Sequence, residues 1–310
     1  MAKEIDEKQR KKDLEIMNRI AAKSKLTQKD VDEISDKIKA AVAEKHKLYY
    51  DESKKFCILI SKKDSAGLNI ASQLGKIGMK ESKDYFLMEE DSIYAENIDK
   101  RPGFEKFDFF IFATRHKSEK GTKTLTVHAP GNWNKADYGG QNGKICKTSG
   151  NFLKHLFRIL TDENSKSESD WQVSLECTHH GPLLEKPCCF IEIGSSEKEW
   201  SDGRAGEILA RVLSRALKEK VEKFECVVGI GGPHYCPNFN KLQTGDRVAV
   251  GHVIPGYALP LTEEMLKEAV EKNVEPVKKV IIDWKGCGKS AERLKVIEIV
   301  EKSGLKWERI

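Results

Sequence analysis

Two neighbouring imidazole side chains, His179 and His180, stand in the segment ECTHHGP at residues 176–182, directly after a predicted strand. Six of the eight histidines in the chain lie at or near the ends of predicted strands: His116, His128, His179, His180, His234 and His252. Imidazole is a general base near neutral pH and the commonest metal ligand in proteins. One histidine in a turn is usually structural, but six in the same setting predict a site that transfers protons or binds zinc.

Two glutamates, Glu176 and Glu192, lie within predicted strands close to these histidines. A carboxylate there would bind a metal or accept the hydrogen bond that fixes an imidazole tautomer. The alternative is that both side chains point to solvent from the polar faces of their strands. A third candidate group, the thiol of Cys177, is weak as a nucleophile, because neighbouring side chains along a strand point to opposite faces.

Two glycine-rich segments resemble nucleotide-binding motifs without meeting their requirements. DWKGCGKS at residues 283–290 ends like a P-loop, but Asp283 occupies the position of the leading glycine. GIGGPH at residues 229–234 has His234 at the third glycine position of a dinucleotide fingerprint, and Pro233 lacks a backbone amide. ATP hydrolysis is therefore not supported, and we interpret the second segment as a tight turn that lets the backbone approach a ligand.

Short apolar strands alternate with amphipathic helices from Phe56 onward. Strands are predicted at FCILISKKD, FDFFIFATRH, TLTVHAPG, WQVSLECTHH, CCFIEIGSS, FECVVGIGG, RVAVGHVIPG and KKVIIDWKG. The clearest helix has an apolar face at helical spacing, formed by Ala205, Ile208, Leu209, Val212, Leu213, Ala216 and Leu217. A further helix, NFLKHLFRIL, precedes a predicted polar linker, TDENSKSESD. The alternation predicts an α/β fold with a mixed or parallel, largely buried sheet and flanking helices.

Residues 1–52 differ from the rest of the chain, because they contain no glycine or proline and alternate charges densely. Their apolar positions predict an amphipathic helix starting at Thr27, paired with a first helix over residues 4–22. We therefore divide the chain into a charged helical extension, 1–52, and a main domain, 53–310. The extension is assigned no catalytic part and is expected to dock on the main domain or on a partner.

The composition describes a globular protein of 310 residues with a net charge of only +5. No apolar run is long enough for a secretory signal or a membrane span, so we expect a cytoplasmic protein. The eight cysteines lack the paired spacing of a zinc knuckle and are expected to be free, buried thiols. Nothing in the sequence requires an oligomer, and a monomer is compatible with it.

Seven motifs occur in the order found in one known family: FATRH (112–116), VHAPGNW (127–133), CTHHGP (177–182), FIEIGSSEKEW (190–200), GIGGPHY (229–235), GHVIP (251–255) and DWKG (283–286). From about residue 56 to its end, the chain resembles the archaeal and plant type of D-aminoacyl-tRNA deacylase. One departure is Pro233, where the family usually has the third glycine of the turn. The resemblance implies an α/β core akin to those of peptidyl-tRNA hydrolases and phosphorylases, bound zinc, and hydrolysis of the ester between a D-amino acid, such as D-tyrosine, and tRNA.

The resemblance also implies candidate site residues. The polar members of its motifs are Arg115, His116, His128, Asn132, Glu176, His179, His180, Glu192, His234, His252 and Asp283. For catalysis we select His128, His179, His180 and His234. For Zn²⁺ we select His116, His179, His180, Glu192 and His252. For substrate binding we select Arg115, Asn132, Gly231, Gly232 and Lys135. Which histidines bind metal and which transfer protons stays open at this point.

The aminoacylated 3′ end of tRNA is the partner implied, and no membrane is involved. Phosphate contacts could come from lysines in predicted loops: Lys117, Lys120, Lys123, Lys135, Lys144 and Lys147. Trp133 and Tyr138 are candidates for base stacking, although Trp133 also suits a core. Two alternative functions remain: a nucleoside phosphorylase, which would need an arginine-rich phosphate site, and a non-catalytic RNA-binding protein with structural zinc.

Overall fold

The computed structural model describes residues 55–119 and 121–310. The predicted helical extension over residues 1–52 lies outside these ranges. Ten strands are present, in chain order: β1 (Phe56–Ser61), β2 (Tyr85–Met88), β3 (Phe109–Lys117), β4 (Thr124–His128), β5 (Gln172–Leu175), β6 (Cys188–Ser195), β7 (Glu225–Ile230), β8 (Val248–Ile254), β9 (Val277–Ile282) and β10 (Lys306–Arg309). All eight strands predicted from the sequence are among them.

Seven α-helices connect these strands within the described residues. They are α1 (Ser65–Lys76), α2 (Gly150–Lys166), α3 (Glu197–Trp200), α4 (Gly203–Ala216), α5 (Pro237–Thr244), α6 (Glu263–Glu271) and α7 (Ser290–Lys302). Four of these helices, α1, α2, α4 and α6, begin with an N-cap side-chain oxygen that accepts from an amide of the first turn. Asp64 caps α1, Ser149 caps α2 and Asp202 caps α4 in this way.

The strands form two sheets rather than one. The first has six strands in the order β2-β1-β3-β6-β4-β5, with β4 antiparallel to β6 and the other neighbours parallel. The second has four parallel strands in the order β10-β9-β7-β8. The predicted α/β class with a mixed, largely buried sheet and flanking helices is confirmed. The alternation of strands and helices in the sequence did not predict that the strands divide between two sheets.

Burial follows the predicted pattern. Every residue of β6 and of β8 is buried, as expected of strands covered on both faces. Six members of the predicted apolar face of α4 are buried, from Ala205 to Ala216. All eight cysteines are buried and free, as expected. In the described part of the chain, no helix has both the length and the apolar character needed to cross a bilayer.

The prediction of a polar linker after NFLKHLFRIL was wrong for its first half, because α2 continues through residues 161–166 to Lys166. The reason is a partly buried ion-pair network that the sequence did not reveal. Glu163 accepts from Arg211 Nε at 2.7 Å and from Arg215 Nη1 at 2.5 Å, both on α4. Charged residues of this stretch therefore join two helices instead of facing water in a loop.

Candidate active site

Four neighbouring strands of the six-stranded sheet place polar side chains on one face. His116 on β3 lies opposite Gly194 on β6, and Glu192 lies two residues earlier on the same strand. On the other side of β6, Thr126 pairs with Glu192 and His128 pairs with Phe190. Glu176 continues β5 next to β4, its amide donating to Val127 O at 3.0 Å. Because side chains alternate along a strand, this register puts His116, Glu192, His128 and Glu176 on the same face.

Gly194 makes room for the His116 ring. A Cβ atom at Gly194 would overlap Thr124 Oγ1 and would lie 3.1 Å from His116 Cδ2. We therefore expect Gly194→Ala to destabilise the fold by about 1–3 kcal/mol through overpacking. It should also lower activity more than the loss of folded protein explains, because His116 must move. Thermal unfolding and turnover of the folded fraction measure the two effects.

Gly75 provides the matched control for this substitution. It lies inside α1, and a Cβ there would meet nothing within 4 Å. Gly75→Ala is expected to stabilise the protein by about 0.5–1 kcal/mol, because alanine favours a helix interior, with turnover unchanged. Equal activity losses in both alanine variants would contradict the role of Gly194.

The segment 176–182 carries its histidines between the two sheets. The amide of Cys177 donates to His234 O at 2.9 Å, and that of Thr178 donates to Val253 O at 3.1 Å. His179 and His180 follow directly, and His180 has a left-handed backbone with φ 43°. The His179 ring lies 4.3 Å from the His128 ring and 4.5 Å from the His234 ring, centroid to centroid. Five of the six predicted histidines therefore meet at one place.

Glu176 lies at the centre of this group. Its carboxylate oxygens are 3.3 Å from His116 Nδ1, 3.4 Å from His234 Nε2 and 3.5 Å from His179 Nε2. The second carboxylate, Glu192, places Oε2 3.4 Å from His128 Nε2 and 3.5 Å from His116 Nδ1. Both glutamates are almost completely buried. The alternative that they point to solvent is wrong.

Several buried atoms of this cluster have no hydrogen-bond partner in the protein. They are both carboxylate oxygens of Glu176, Glu192 Oε2, His128 Nε2 and His234 Nε2. More than nine in ten buried polar groups in proteins are paired, and leaving a charged one unpaired is costly. The five orphaned atoms converge on one space, which indicates that a group from outside the protein, such as a cation, satisfies them.

The donor set fits a metal. Three overlapping sets have ligand atoms within 4.8 Å of one another: His116, Glu176, His179 and His234; His128, His179 and His180; and His128, Glu176 and Glu192. Zinc binds imidazole nitrogen and carboxylate oxygen at about 2.0–2.2 Å in tetrahedral sites, which separates neighbouring ligand atoms by about 3.3–3.6 Å. Five nitrogen–oxygen distances around Glu176 and Glu192 lie in that range, and the sixth, from His128 Nε2 to Glu176 Oε2, is 3.9 Å. The residues therefore suit zinc, as the sequence resemblance implied.

Backbone carbonyls fix the orientation of three of the rings. The Nδ1 atoms of His128, His179 and His180 lie 3.2, 2.8 and 2.7 Å from the carbonyl oxygens of Ala129, Cys177 and Gly181. A carbonyl only accepts, so each Nδ1 carries the proton and donates it. Each Nε2 is then left with its lone pair free, the arrangement typical of metal-binding histidines.

Electrostatics divide the histidines into two kinds. Burial and the neighbouring His128 lower the pKa of His180 to about 4, and burial together with the surrounding rings also lowers the pKa of His179. For His234, burial opposes protonation, but contacts with Cys177 and the Glu176 carboxylate outweigh it and raise the pKa to about 11. In the absence of a metal, protonated His234 thus balances part of the buried negative charge, and a cation bound at Glu176 would compete for that carboxylate and lower the pKa of His234 again.

A cleft of about 1360 Å³ opens over the cluster. Three predicted substrate-binding residues line it, namely Arg115, Asn132 and Lys135. Arg115 donates to Asp91 Oδ2 at 2.7 Å, and Asn132 donates to Gly139 O at 2.8 Å. His116, His179, His180, Glu192 and His234 also line the cleft. The cluster is therefore accessible to a substrate from one side.

Other predicted residues are not brought to the cluster. His252 is fully buried, with Nδ1 3.0 Å from Thr178 Oγ1 and Nε2 3.3 Å from Lys272 O, so its contacts do not support the expected metal role. Gly231 and Gly232 pack against the loop that follows Asp283 and do not line the cleft, and the Gly231 amide donates to Ile254 O at 2.7 Å. Asp283 accepts from the Gly286 amide of that loop at 3.2 Å and from Asn238 Nδ2 on α5 at 3.1 Å.

Two tyrosines of the site were assigned no role from the sequence. The Tyr235 hydroxyl lies 3.0 Å from His116 Nε2, and the Tyr257 hydroxyl lies 3.1 Å from Cys177 Sγ. Tyr235 follows His234 in GIGGPHY, so its position in the motif was a usable signal. Tyr257 had no such signal, because it reaches the site only when the segment after β8 folds back. Trp133, a stacking candidate, is buried in the core of the four-stranded sheet and also borders the cleft.

Comparison with known proteins agrees with the geometry. A family profile described as D-aminoacyl-tRNA deacylase matches residues 103–308. The D-aminoacyl-tRNA deacylase of Pyrococcus furiosus is 35% identical over 269 residues, covering 81% of this chain and 98% of that protein. The one from Methanocaldococcus jannaschii is 35% identical, covering 83% of this chain and 100% of that protein. A crystal structure titled as a conserved protein of unknown function superposes with a TM-score of 0.75 at 31% identity, covering 83% of this chain and 95% of that one.

Proposed function

Because the chain belongs to the D-aminoacyl-tRNA deacylase family, and is thus a hydrolase of an aminoacyl-tRNA ester, we propose that the histidine–glutamate cluster is its active site and acts with zinc. The observation that carries the proposal is the convergence of orphaned buried atoms of Glu176, Glu192, His128 and His234. The substrate we propose is a D-aminoacyl-tRNA such as D-tyrosyl-tRNA. Its hydrolysis in the cytoplasm would remove D-amino acids before translation uses them.

Zinc would be held by members of the three overlapping donor sets. His128, His179 and Glu176 each belong to two of these sets, so we place them at the centre of the metal site. Among the flanking donors are His180 and Glu192. When bound there, zinc would lower the pKa of a water and polarise the ester carbonyl. The protein's own part is to hold these donors rigidly through the backbone carbonyls that fix their rings.

We assign proton transfer to His234. It lines the cleft, and its Nε2 faces Glu176, whereas His128 is fully buried and does not line the cleft. A cation at Glu176 would lower the pKa of His234, which could then take the proton of the attacking water and return it to the ribose oxygen that leaves. The ester is already activated relative to an amide, so a positioned water and a proton carrier suffice.

Phosphate contacts are proposed for the cleft rim. Lys117 and Lys135 line the cleft and are exposed, beside the half-buried Arg115. Among the described residues that line the cleft, Arg115 is the one arginine, and it is paired with Asp91. A phosphorylase would need an arginine-rich phosphate site, so this lining disfavours that alternative. Absence of turnover with metal present would support the other alternative, a non-catalytic RNA-binding protein with structural zinc.

The test uses purified full-length protein with D-tyrosyl-tRNA and L-tyrosyl-tRNA, before and after chelation, with release of tyrosine as the readout. We expect release from the D-ester alone, loss of release after chelation, and recovery on adding zinc. Release from both esters would contradict the chiral substrate. Release that persists with zinc demonstrably removed would contradict the metal and leave His179 and His180 as proton-transfer groups.

A further inference from the structure

Three exposed tyrosines surround the mouth of the cleft. Tyr138 is 66% exposed, Tyr257 is 64% exposed and Tyr94 is 54% exposed. Tyr138 and Tyr257 line the cleft, while Tyr94 lies against Gly139, next to Tyr138. Most aromatic side chains of the described residues are buried or half-buried. Large rings left open to water at the entrance of an active site indicate a surface that a ligand covers.

The backbone that carries Tyr138 is held in place. The Tyr138 carbonyl accepts from the Gly181 amide at 2.8 Å, and the following Gly139 carbonyl accepts from Asn132 Nδ2 at 2.8 Å. Gly139 has φ +71° and packs so closely on Ile93 O that no side chain would fit. The ring is therefore exposed on a rigid loop rather than on a loose one, which lowers the entropy lost when a ligand binds.

Tyr257 is anchored through its hydroxyl group. Its hydroxyl contacts Cys177 Sγ at 3.1 Å, directly beside Glu176, while most of the side chain is open to solvent. One end of the ring thus touches the wall of the metal cluster and its face is free. An aromatic face at this position borders the cleft that leads to the cluster.

The size and charge of the cleft favour a polymer end over a small molecule. Its volume of about 1360 Å³ exceeds the about 300–1,000 Å³ of ordinary small-ligand pockets. Its rim carries Lys117 and Lys135, but also Glu119 and Asp137, so the positive charge is largely balanced. Attraction between charges alone therefore gives little affinity here, and stacking on the tyrosine rings has to contribute.

We propose that Tyr138 and Tyr257 form a stacking platform for the unpaired nucleotides at the 3′ end of tRNA. Bases present a π-face whatever their identity, so aromatic rings bind single-stranded ends without reading sequence. Tyr94 extends the platform beside Tyr138. The inference rests on the proposed function only in taking tRNA as the substrate. It adds which side chains receive the end that carries the ester.

The test measures the dissociation constant of the full-length protein for uncharged tRNA, intact or lacking its last three nucleotides. Stacking on an aromatic side chain is worth a factor of about 5 to 150 per base. We expect Tyr138→Ala and Tyr257→Ala each to weaken binding of intact tRNA by that factor. Tyr138→Phe should stay within about 2-fold of wild type, because the ring remains. None of these variants should alter binding of the shortened tRNA by more than about 2-fold.

Leu294→Ala serves as the control, because Leu294 is 62% exposed on α7 and does not line the cleft. It should bind both tRNAs like wild type. Unchanged binding of intact tRNA by the two tyrosine-to-alanine variants would overturn the platform, as would an equal loss on the shortened tRNA. Hydrolysis of D-tyrosyl-tRNA by the wild type is assayed separately. Binding of uncharged tRNA decides the inference, and hydrolysis decides the proposed function.

Discussion

Replacing Glu176 with glutamine is expected to lower kcat/KM by at least about 100-fold. Loss of a residue that only orients a metal ligand costs up to about that factor, and Glu176 is itself a proposed ligand. Glu176 belongs to two of the three donor sets and lies within 4 Å of four histidines. Glutamine keeps the shape of the side chain but removes its charge, so zinc retention should fall with activity. Metal content after dialysis and single-turnover rates measure both.

The same substitution should leave the fold intact. In the metal-free protein Glu176 faces His234, whose pKa it helps to raise, so glutamine there loses a buried ion contact, and the metal-free variant should stay folded but unfold at a lower temperature than metal-free wild type. Glu163→Gln is the matched control, because it also removes a carboxylate charge but lies outside the cluster. It weakens the partly buried pairs with Arg211 and Arg215 and should cost about 1–2 kcal/mol of stability, with zinc and turnover retained. A Glu176→Gln protein that keeps zinc and activity would contradict the site.

His179→Ala and His252→Ala are expected to fail in different ways. His179 belongs to two donor sets, so its loss should reduce bound zinc and lower kcat/KM by at least about 100-fold. His252 contacts Thr178 and Lys272 O away from the cluster, so its loss should leave zinc unchanged. It should instead cost about 2–4 kcal/mol of stability, because a cavity forms and buried polar atoms lose their partner.

Zinc content and thermal unfolding of the two histidine variants separate these outcomes. The comparison is informative because the sequence motifs placed both residues in the same metal site. Loss of zinc from the His252→Ala protein at unchanged stability would restore His252 as a ligand and contradict its position outside the cluster. Retention of zinc and turnover by the His179→Ala protein would remove the segment 176–182 from the metal site.

The position of polar residues at strand ends was readable from the sequence. His116 and His128 lie at or near the ends of β3 and β4, and His179 and His180 follow β5, as the sequence indicated. The rule that carboxyl ends gather at one edge applies to parallel strands and does not explain why they meet, because β4 and β5 run antiparallel to β3 and β6. His234 follows β7 of the four-stranded sheet and was selected as a site residue because it belongs to the motif GIGGPHY. Strand-end positions and motifs thus selected five histidines that meet in the structure, although the division of the strands into two sheets was not predicted.

The direction of the glutamate side chains could not be read in the same way. Whether Glu176 and Glu192 face the site or solvent depends on the register between strands, and a shift of one residue reverses every side chain. The pairing of Thr126 with Glu192 settles this only once β4 is known to run antiparallel to β6. The sequence placed the carboxylates near the histidines and left their direction open.

Residues that act through tertiary contacts were the hardest to predict. His252 contacts Thr178 because the segment 176–182 lies between the two sheets. The Gly231 amide donates to the Ile254 carbonyl and is therefore not free to bind a substrate. Tyr257 arrives at Cys177 from 80 residues further along the chain. Local pattern carries no signal for such contacts, so a motif identifies the neighbourhood of a site more reliably than the role of each member.

The most direct test of a zinc centre in the cluster is an anomalous diffraction map at the zinc edge, from crystals of the full-length protein prepared with zinc. We expect anomalous density within the cluster, bound by nitrogen and oxygen atoms of members of the His128, His179 and Glu176 donor sets, with no sulfur ligand. A zinc-replete crystal with density only elsewhere, or with zinc on Cys177, would contradict this assignment of the metal site.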